Sequence, residues 1–150
     1  MKNIHILPTD KPSRLGQVHE KLSFFKDGTW DNTENWRCKN IYITSDEEIK
    51  VNDAVIDLET NHVFISKGKM LCNDFIKKII LTTDQDLIKD GVQAIDDELL
   101  EWFIKNPTCE FVKIHKEKQH IGEEIDESYP KGFFDYKIII PKEEHKQTIQ

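Results

Sequence analysis

Carboxylates are the most concentrated reactive side chains in this sequence, and seven of them fall in one stretch. Asp84, Asp86, Asp90, Asp96, Asp97, Glu98 and Glu101 stand against a single base, Lys89, so the stretch carries six of the chain's seven net negative charges. Carboxylates spaced this way can imitate the phosphates of a nucleic-acid strand and occupy a basic channel on another protein. The same residues also have local uses. Asp96 suits a helix N-cap, Asp97 and Glu98 suit the positive end of a helix dipole, and Asp84 and Asp90 suit turns. As candidate partner-binding residues, Asp84, Asp86, Asp90, Asp97 and Glu101 are carried forward.

Other chemistry is thinner. Glu48-Ile49-Lys50 echoes half of a metal-dependent nuclease site, with Asp57 or Asp74 as further carboxylates, but the order is inverted and Asp46 lies too close to hold Mg²⁺ with Glu48. Six histidines (His5, His19, His62, His115, His120, His145) include none paired at i, i+3 or i, i+4 with another His or Cys, so no ligand set forms locally. Cys38, Cys72 and Cys109 are widely spaced and odd in number, which fits reduced thiols better than a disulfide framework or a zinc ribbon. No nucleophile elbow, P-loop or dinucleotide fingerprint occurs. The expectation is therefore no catalytic residue, no metal and no cofactor. Trp30 and Trp36 lie in a polar stretch among Asp31, Asn32 and Asn35, where exposed indoles would be interface anchors and tucked ones would cover a sheet.

Composition bounds the setting. With 150 residues, a net charge of -7 and 37% hydrophobic residues, the chain suits one domain, whose short blocks of Ile, Val, Leu and Phe support folding. The acidic balance argues against direct binding to nucleic acid or anionic membranes and for a basic protein partner. The start, MKNIHILPTDKPSRL, has no apolar run after its charges, and no stretch has the length of a membrane span. A cytoplasmic location follows as an expectation.

The elements that must position these residues read mostly as β-structure. Strands are expected at 4–7 (an edge strand), 41–44, 54–58, 62–65, 70–72, 78–82, 111–114 and 136–140, with hairpin-length links favouring sequential antiparallel pairing. Residues 13–25 place Leu15, Val18, Leu22 and Phe25 at helical spacing and suggest a short helix weakened by Gly16. One helix, Asp97 to Lys105, is strongly specified. Asp96 caps it, Ile95 and Leu100 form a hydrophobic staple, and Asn106-Pro107 stops it. The expected fold is α+β: a small, mostly antiparallel sheet or partly open barrel with this helix packed on it through Leu99, Leu100 and Phe103. One compact domain is expected over 1–141, with 115–135 as a long loop or irregular hairpin and 142–150 as a frayed tail.

Four blocks carry a resemblance. KNIHILPTDKPSRL (2–15), NIYITSDEEIKVNDAVID (40–57), Lys78 to Ile114 and YKIIIPKEEHKQ (136–147) resemble a group of small proteins of phages and prophage-like regions of bacterial genomes, a group with no assigned activity. Its members often have Gly-Asp-Trp where this chain has Asn52-Asp53-Ala54, a departure that removes a turn glycine and an aromatic. The resemblance implies a mobile-element setting, where small acidic proteins frequently disable a host machine. The expected function is accordingly non-catalytic binding of a host protein with a basic nucleic-acid-binding surface, as in inhibition of a CRISPR-type defence nuclease. A metal-dependent nucleic-acid-processing enzyme built on Glu48, Lys50 and Asp57 is one alternative, and a self-associating component of a phage particle is another.

Overall fold

The computed structural model describes residues 2–118 and 134–140. The chain divides into two compact units, Met1–Phe111 and Val112–Gln150. The first holds an open, mostly antiparallel eight-stranded sheet that does not close into a barrel. Its strands are β1 (Ile4–Pro8), β2 (Leu15–Val18), β3 (Lys21–Phe24), β4 (Trp36–Ser45), β5 (Ala54–Asp57), β6 (His62–Ile65), β7 (Ile76–Thr82) and β8 (Gln93–Ala94), with helices α1 (Gln85–Lys89) and α2 (Asp97–Lys105). The order is β3-β2-β4-β7-β5-β6, with β1 paired to β4 and β8 paired in parallel to β7. In the second unit, β9 (Lys113–Lys118) and β10 (Phe134–Ile139) form an antiparallel hairpin in which Lys116 lies 5.8 Å from the centre of the Tyr136 ring.

Strand β4 organises the sheet because both its edges are used. Its even-numbered residues turn their backbone groups toward β1, as Thr44 N–H donating to the Asn3 carbonyl and Cys38 carbonyl accepting from Thr9 N–H show. Its other edge is shared end to end by β2, opposite Trp36 to Lys39, and β7, opposite Tyr42 to Ser45. The two partners leave a junction at Asn40, which is closed by side chains. Ser13 Oγ lies 2.7 Å from the Lys39 carbonyl and 2.9 Å from Asn40 Oδ1. Thr83 Oγ1 donates to Asn40 Oδ1 at 3.0 Å and accepts from Ile41 N–H at 3.0 Å. Ser13, Asn40 and Thr83 are all buried, so these bonds remove what would otherwise be uncompensated polar groups.

The core follows from strand alternation. Tyr42, Ala54, Ile56 and Ile79 form a buried cluster with Leu87 of α1, joined by Leu7, Leu58, Val63 and Ile65. A bulge makes Ile80 an extra residue on β7, because Ile43 faces Leu81 while Thr44 faces Ile79. Ile80 and Leu81 are thereby both buried. Helix α2 begins as its sequence requires, with Asp96 accepting from Leu99 N–H at 2.9 Å, and it buries Leu99, Leu100 and Phe103. Burial of each such side chain is worth roughly 1.5–3 kcal/mol.

Several expectations need correction. Residues 13–25 form the β2–β3 hairpin, not a helix: Val18 faces Lys21 across a two-residue turn in which His19 has φ +58°. The helical spacing was a coincidence of two short strands, and β2 is committed by its pairing with β4. Residues 70–72 are not a strand; Met70 makes one isolated bridge to Ile49. Pairing is not fully sequential, since β7 inserts between β4 and β5. Asp84 to Asp90, read as turns, bracket the short helix α1 as its N-cap and C-cap. Strand β9 runs from Lys113 to Lys118 and β10 starts at Phe134, so residues 115–118 and 134–135 of the loop expected over 115–135 are strand, while its remainder and the tail 142–150 lie outside the described residues. Asn52 takes φ +73°, a left-handed conformation that Asn tolerates better than most residues.

A Cβ at Gly16 would collide with the ring carbons of buried Trp36. Gly16→Ala is expected to cost about 1–3 kcal/mol in chemical denaturation, as overpacking does, and a Trp36→Leu background should relieve much of the loss. His5 is buried, and burial, followed by the charges of Lys2 and Lys77, lowers its pKa to about 4. The unfolded chain therefore binds a proton near pH 6.5 that the folded chain refuses, and stability falls as pH drops through this window. Unfolding free energy should decrease by about 2 kcal/mol between pH 7 and pH 5, and His5→Gln should flatten that slope.

Candidate functional site: an aromatic and acidic surface

Each sequence-derived candidate now has a place. Asp84 caps α1, accepting from Asp86 N–H at 3.0 Å, and also accepts from the Tyr42 hydroxyl at 2.8 Å. Burial and then the Asp84 carboxylate push the Tyr42 pKa up, so this phenol stays a donor at physiological pH. Asp86 pairs with Lys11 at 2.5 Å, an exposed contact that holds the lysine protonated above its usual range and the carboxyl below its own. Asp90 is exposed at the C-terminal end of α1. Lys11, Asn40, Asp84, Asp86 and Lys89 line a cleft of about 310 Å³. Its two carboxylates are already engaged, one by a phenol and cap, the other by a lysine.

The α2 acids are tied to a different element. Arg14, at the start of the β2–β3 hairpin, donates through Nη2 to Asp97 Oδ1 at 2.5 Å and to the Lys26 carbonyl at 3.0 Å. Its Nε donates to the Phe25 carbonyl at 3.2 Å, and its guanidinium sits 5.8 Å from the Phe24 ring centre. Lys26 reaches Glu101 at 3.3 Å. Phe25 in turn stacks at 5.1 Å, tilted by 39°, on Trp30. The structure thus joins Trp30, Phe25, Arg14 and Asp97 in one run of contacts, with Lys26 and Glu101 beside it.

The two tryptophans part company. Trp36 is 6% exposed, opening β4 with its ring against Gly16, so it belongs to the core rather than to a binding loop. Trp30 is 47% exposed and meets Trp36 edge-on at 5.7 Å. Its backbone pairs with Ser13 in both directions at 3.0 Å. An exposed indole held by two aromatic neighbours and a fixed backbone loses little freedom on contact, which is what an interface anchor requires. Sequence reasoning could not separate the two indoles, because only the pairing of β2 with β4 decides which one the sheet covers.

The nuclease-like residues are employed separately. Glu48 lies 4.0 Å from Lys69, Asp57 accepts from Glu59 N–H at 2.9 Å in the β5–β6 turn, and Lys50 N–H donates to Asp53 at 2.7 Å. Among the described residues no three His, Cys, Asp or Glu side chains converge on a point where a metal ion would sit. Cys38, Cys72 and Cys109 are free thiols; Cys38 is buried with its Sγ 2.9 Å from the Trp30 carbonyl. No described helix is long and apolar enough to cross a membrane.

The contrast between the tryptophans is measurable. Trp36→Ala should cost about 3–5 kcal/mol of stability, as large-to-small core changes do, whereas Trp30→Ala should cost less than about 1.5 kcal/mol. Urea denaturation of both variants tests this, and equal losses would place Trp30 in the core as well.

Compared with protein-family models, with curated proteins and with solved structures, the chain matches none.

Proposed function

We propose that this protein is a non-catalytic binding module that docks on a basic protein partner through Trp30 and the carboxylates of α1 and α2. The observation that carries the reading is the exposed Trp30, braced by Phe25 and Trp36 and linked through Arg14 to the acidic helix. An aromatic anchor beside a field of carboxylates combines a site for contact energy with charge that steers a cationic partner. Asp90, Asp96 and Glu98 are exposed and present negative charge beyond the Asp86, Asp97 and Glu101 carboxylates that Lys11, Arg14 and Lys26 pair with. The net charge of -7 disfavours nucleic acid itself as the ligand.

The resemblance to phage and prophage proteins supplies the setting. In it, the partner is a host protein with a nucleic-acid-binding surface, a guided defence nuclease being the best fit to the charge, and the site of action is the bacterial cytoplasm. Free thiols suit that compartment.

Affinity capture from nuclease-treated host lysate, followed by binding measurements with the purified partner, tests the reading. One basic protein should be retained at physiological salt. Trp30→Ala with Glu101→Lys should weaken its binding about thirtyfold or more while the thermal unfolding midpoint stays near that of the parent. Binding that survives both changes, or retention only of nucleic acid, would overturn it.

A further inference from the structure

Strand β6 ends the sheet, and among the described residues no strand lies along its outer side. Ser66 reveals which way its backbone faces. The Ser66 N–H donates to the Asp53 carbonyl and the Ser66 carbonyl accepts from Asn52 N–H, each at 2.8 Å. Alternation then turns the N–H and C=O groups of Phe64 and His62 toward β5 and those of Val63 and Ile65 outward. The side chains of Val63 and Ile65 are packed against the buried cluster of Tyr42 and Ile56, so this edge is held in extended form from within.

A groove runs beside the edge. On the face opposite the cluster, the His62 and Phe64 rings stack with centres 5.7 Å apart and planes 16° apart. With Gly68, Lys69 and Met70 they border a shallow, open concavity of about 550 Å³. A Cβ placed at Gly68 would meet nothing within 4 Å, so the wall is open at that point. The charge here opposes that of the whole chain. From His62 to Cys72 there is no acidic residue, while Lys67 and Lys69 both stand exposed. Lys69 pairs with Glu48 at 4.0 Å, a long and exposed contact that an incoming carboxylate can displace. Of the features that protect exposed edges, His62 to Ile65 has no proline, bulge or inward charge; its shortness and the lysines that follow it are what limit pairing here.

We propose that β6 and this groove form a docking site for an extended segment of a partner protein, added to the sheet as a further strand. The outward groups of Val63 and Ile65 supply its main-chain hydrogen bonds, and the groove takes alternate apolar side chains. Lys67 and Lys69 select carboxylates in that segment. The site lies on different residues from the Trp30 surface and does not depend on the role given to it.

The test uses the full chain and a phage-displayed library of random linear ten-residue peptides. Selected peptides should carry carboxylates and alternating apolar residues, and their affinity should fall as salt is raised from 0.05 to 0.5 M, on the order expected for screened exposed charges. Gly68→Trp, whose Cβ would meet nothing within 4 Å, should weaken binding at least tenfold. Lys67→Glu with Lys69→Glu should do the same. In the complex, amide exchange at Val63 and Ile65 should slow at least tenfold. Failure to enrich any peptide, enrichment of basic peptides, equal binding by the Gly68→Trp variant, or concentration-dependent self-association through β6 in place of peptide binding would each overturn the proposal.

Discussion

Burying a strand on both faces is possible only if its backbone groups find partners on both edges, and β4 is where this sheet meets that condition. Asn40 to Thr44 are all buried, on both faces of the strand, so water cannot satisfy their amides. On one edge β1 does so alone. On the other, two strands from distant parts of the sequence share the work, and the gap between them is bridged by Ser13, Asn40 and Thr83. Removing any of these three polar groups would leave buried neighbours unpaired, a larger cost than the bond itself contributes.

The same junction fixes the parts of the molecule that face outward. Thr83 leads into Asp84, whose carboxylate serves Tyr42 from the core and the first turn of α1 from the surface. Ser13 leads into Arg14, which carries the connection to Asp97 and to the Phe25 carbonyl, and Ser13 itself pairs with Trp30. The acidic helices and the exposed indole are thereby positioned from the two sides of one buried amide. Close packing makes this arrangement stiff: Gly16 exists where Trp36 leaves no room for a Cβ, and Trp36 in turn supports Trp30.

Charge is divided within the first unit. Helices α1 and α2 hold most of the acidic surplus, partly compensated by Lys11, Arg14 and Lys26, whereas the β6 region presents lysines without an acid in its own segment. These surfaces therefore suit opposite chemistries, a cationic face for the first and an acidic extended segment for the second. Most of the compensated pairs are exposed and contribute little to stability, so their carboxylates stay available to a competing cation.

Sequence alone determined what local rules control. Helix α2 was legible because its cap, staple and stop are all read between Ile95 and Pro107. Strand β6 and its hairpin with β5 were legible because alternation and a turn-rich link lie side by side. The acidic character of residues 84–101 was equally plain. What remained hidden depends on partners far along the chain. Leu15 and Val18 read as helical until β4 is set beside them, α1 is too short for its period to show, and β7 enters between β4 and β5 without any local signal. Trp30 and Trp36 sit in similar polar surroundings in sequence, and only tertiary pairing buries one and leaves the other exposed. Likewise, the carboxylates are visible in the sequence, but their assignment to Tyr42, Lys11, Arg14 or Lys26 is not, because an ion pair is decided by the approach of two elements and carries no mark in either one.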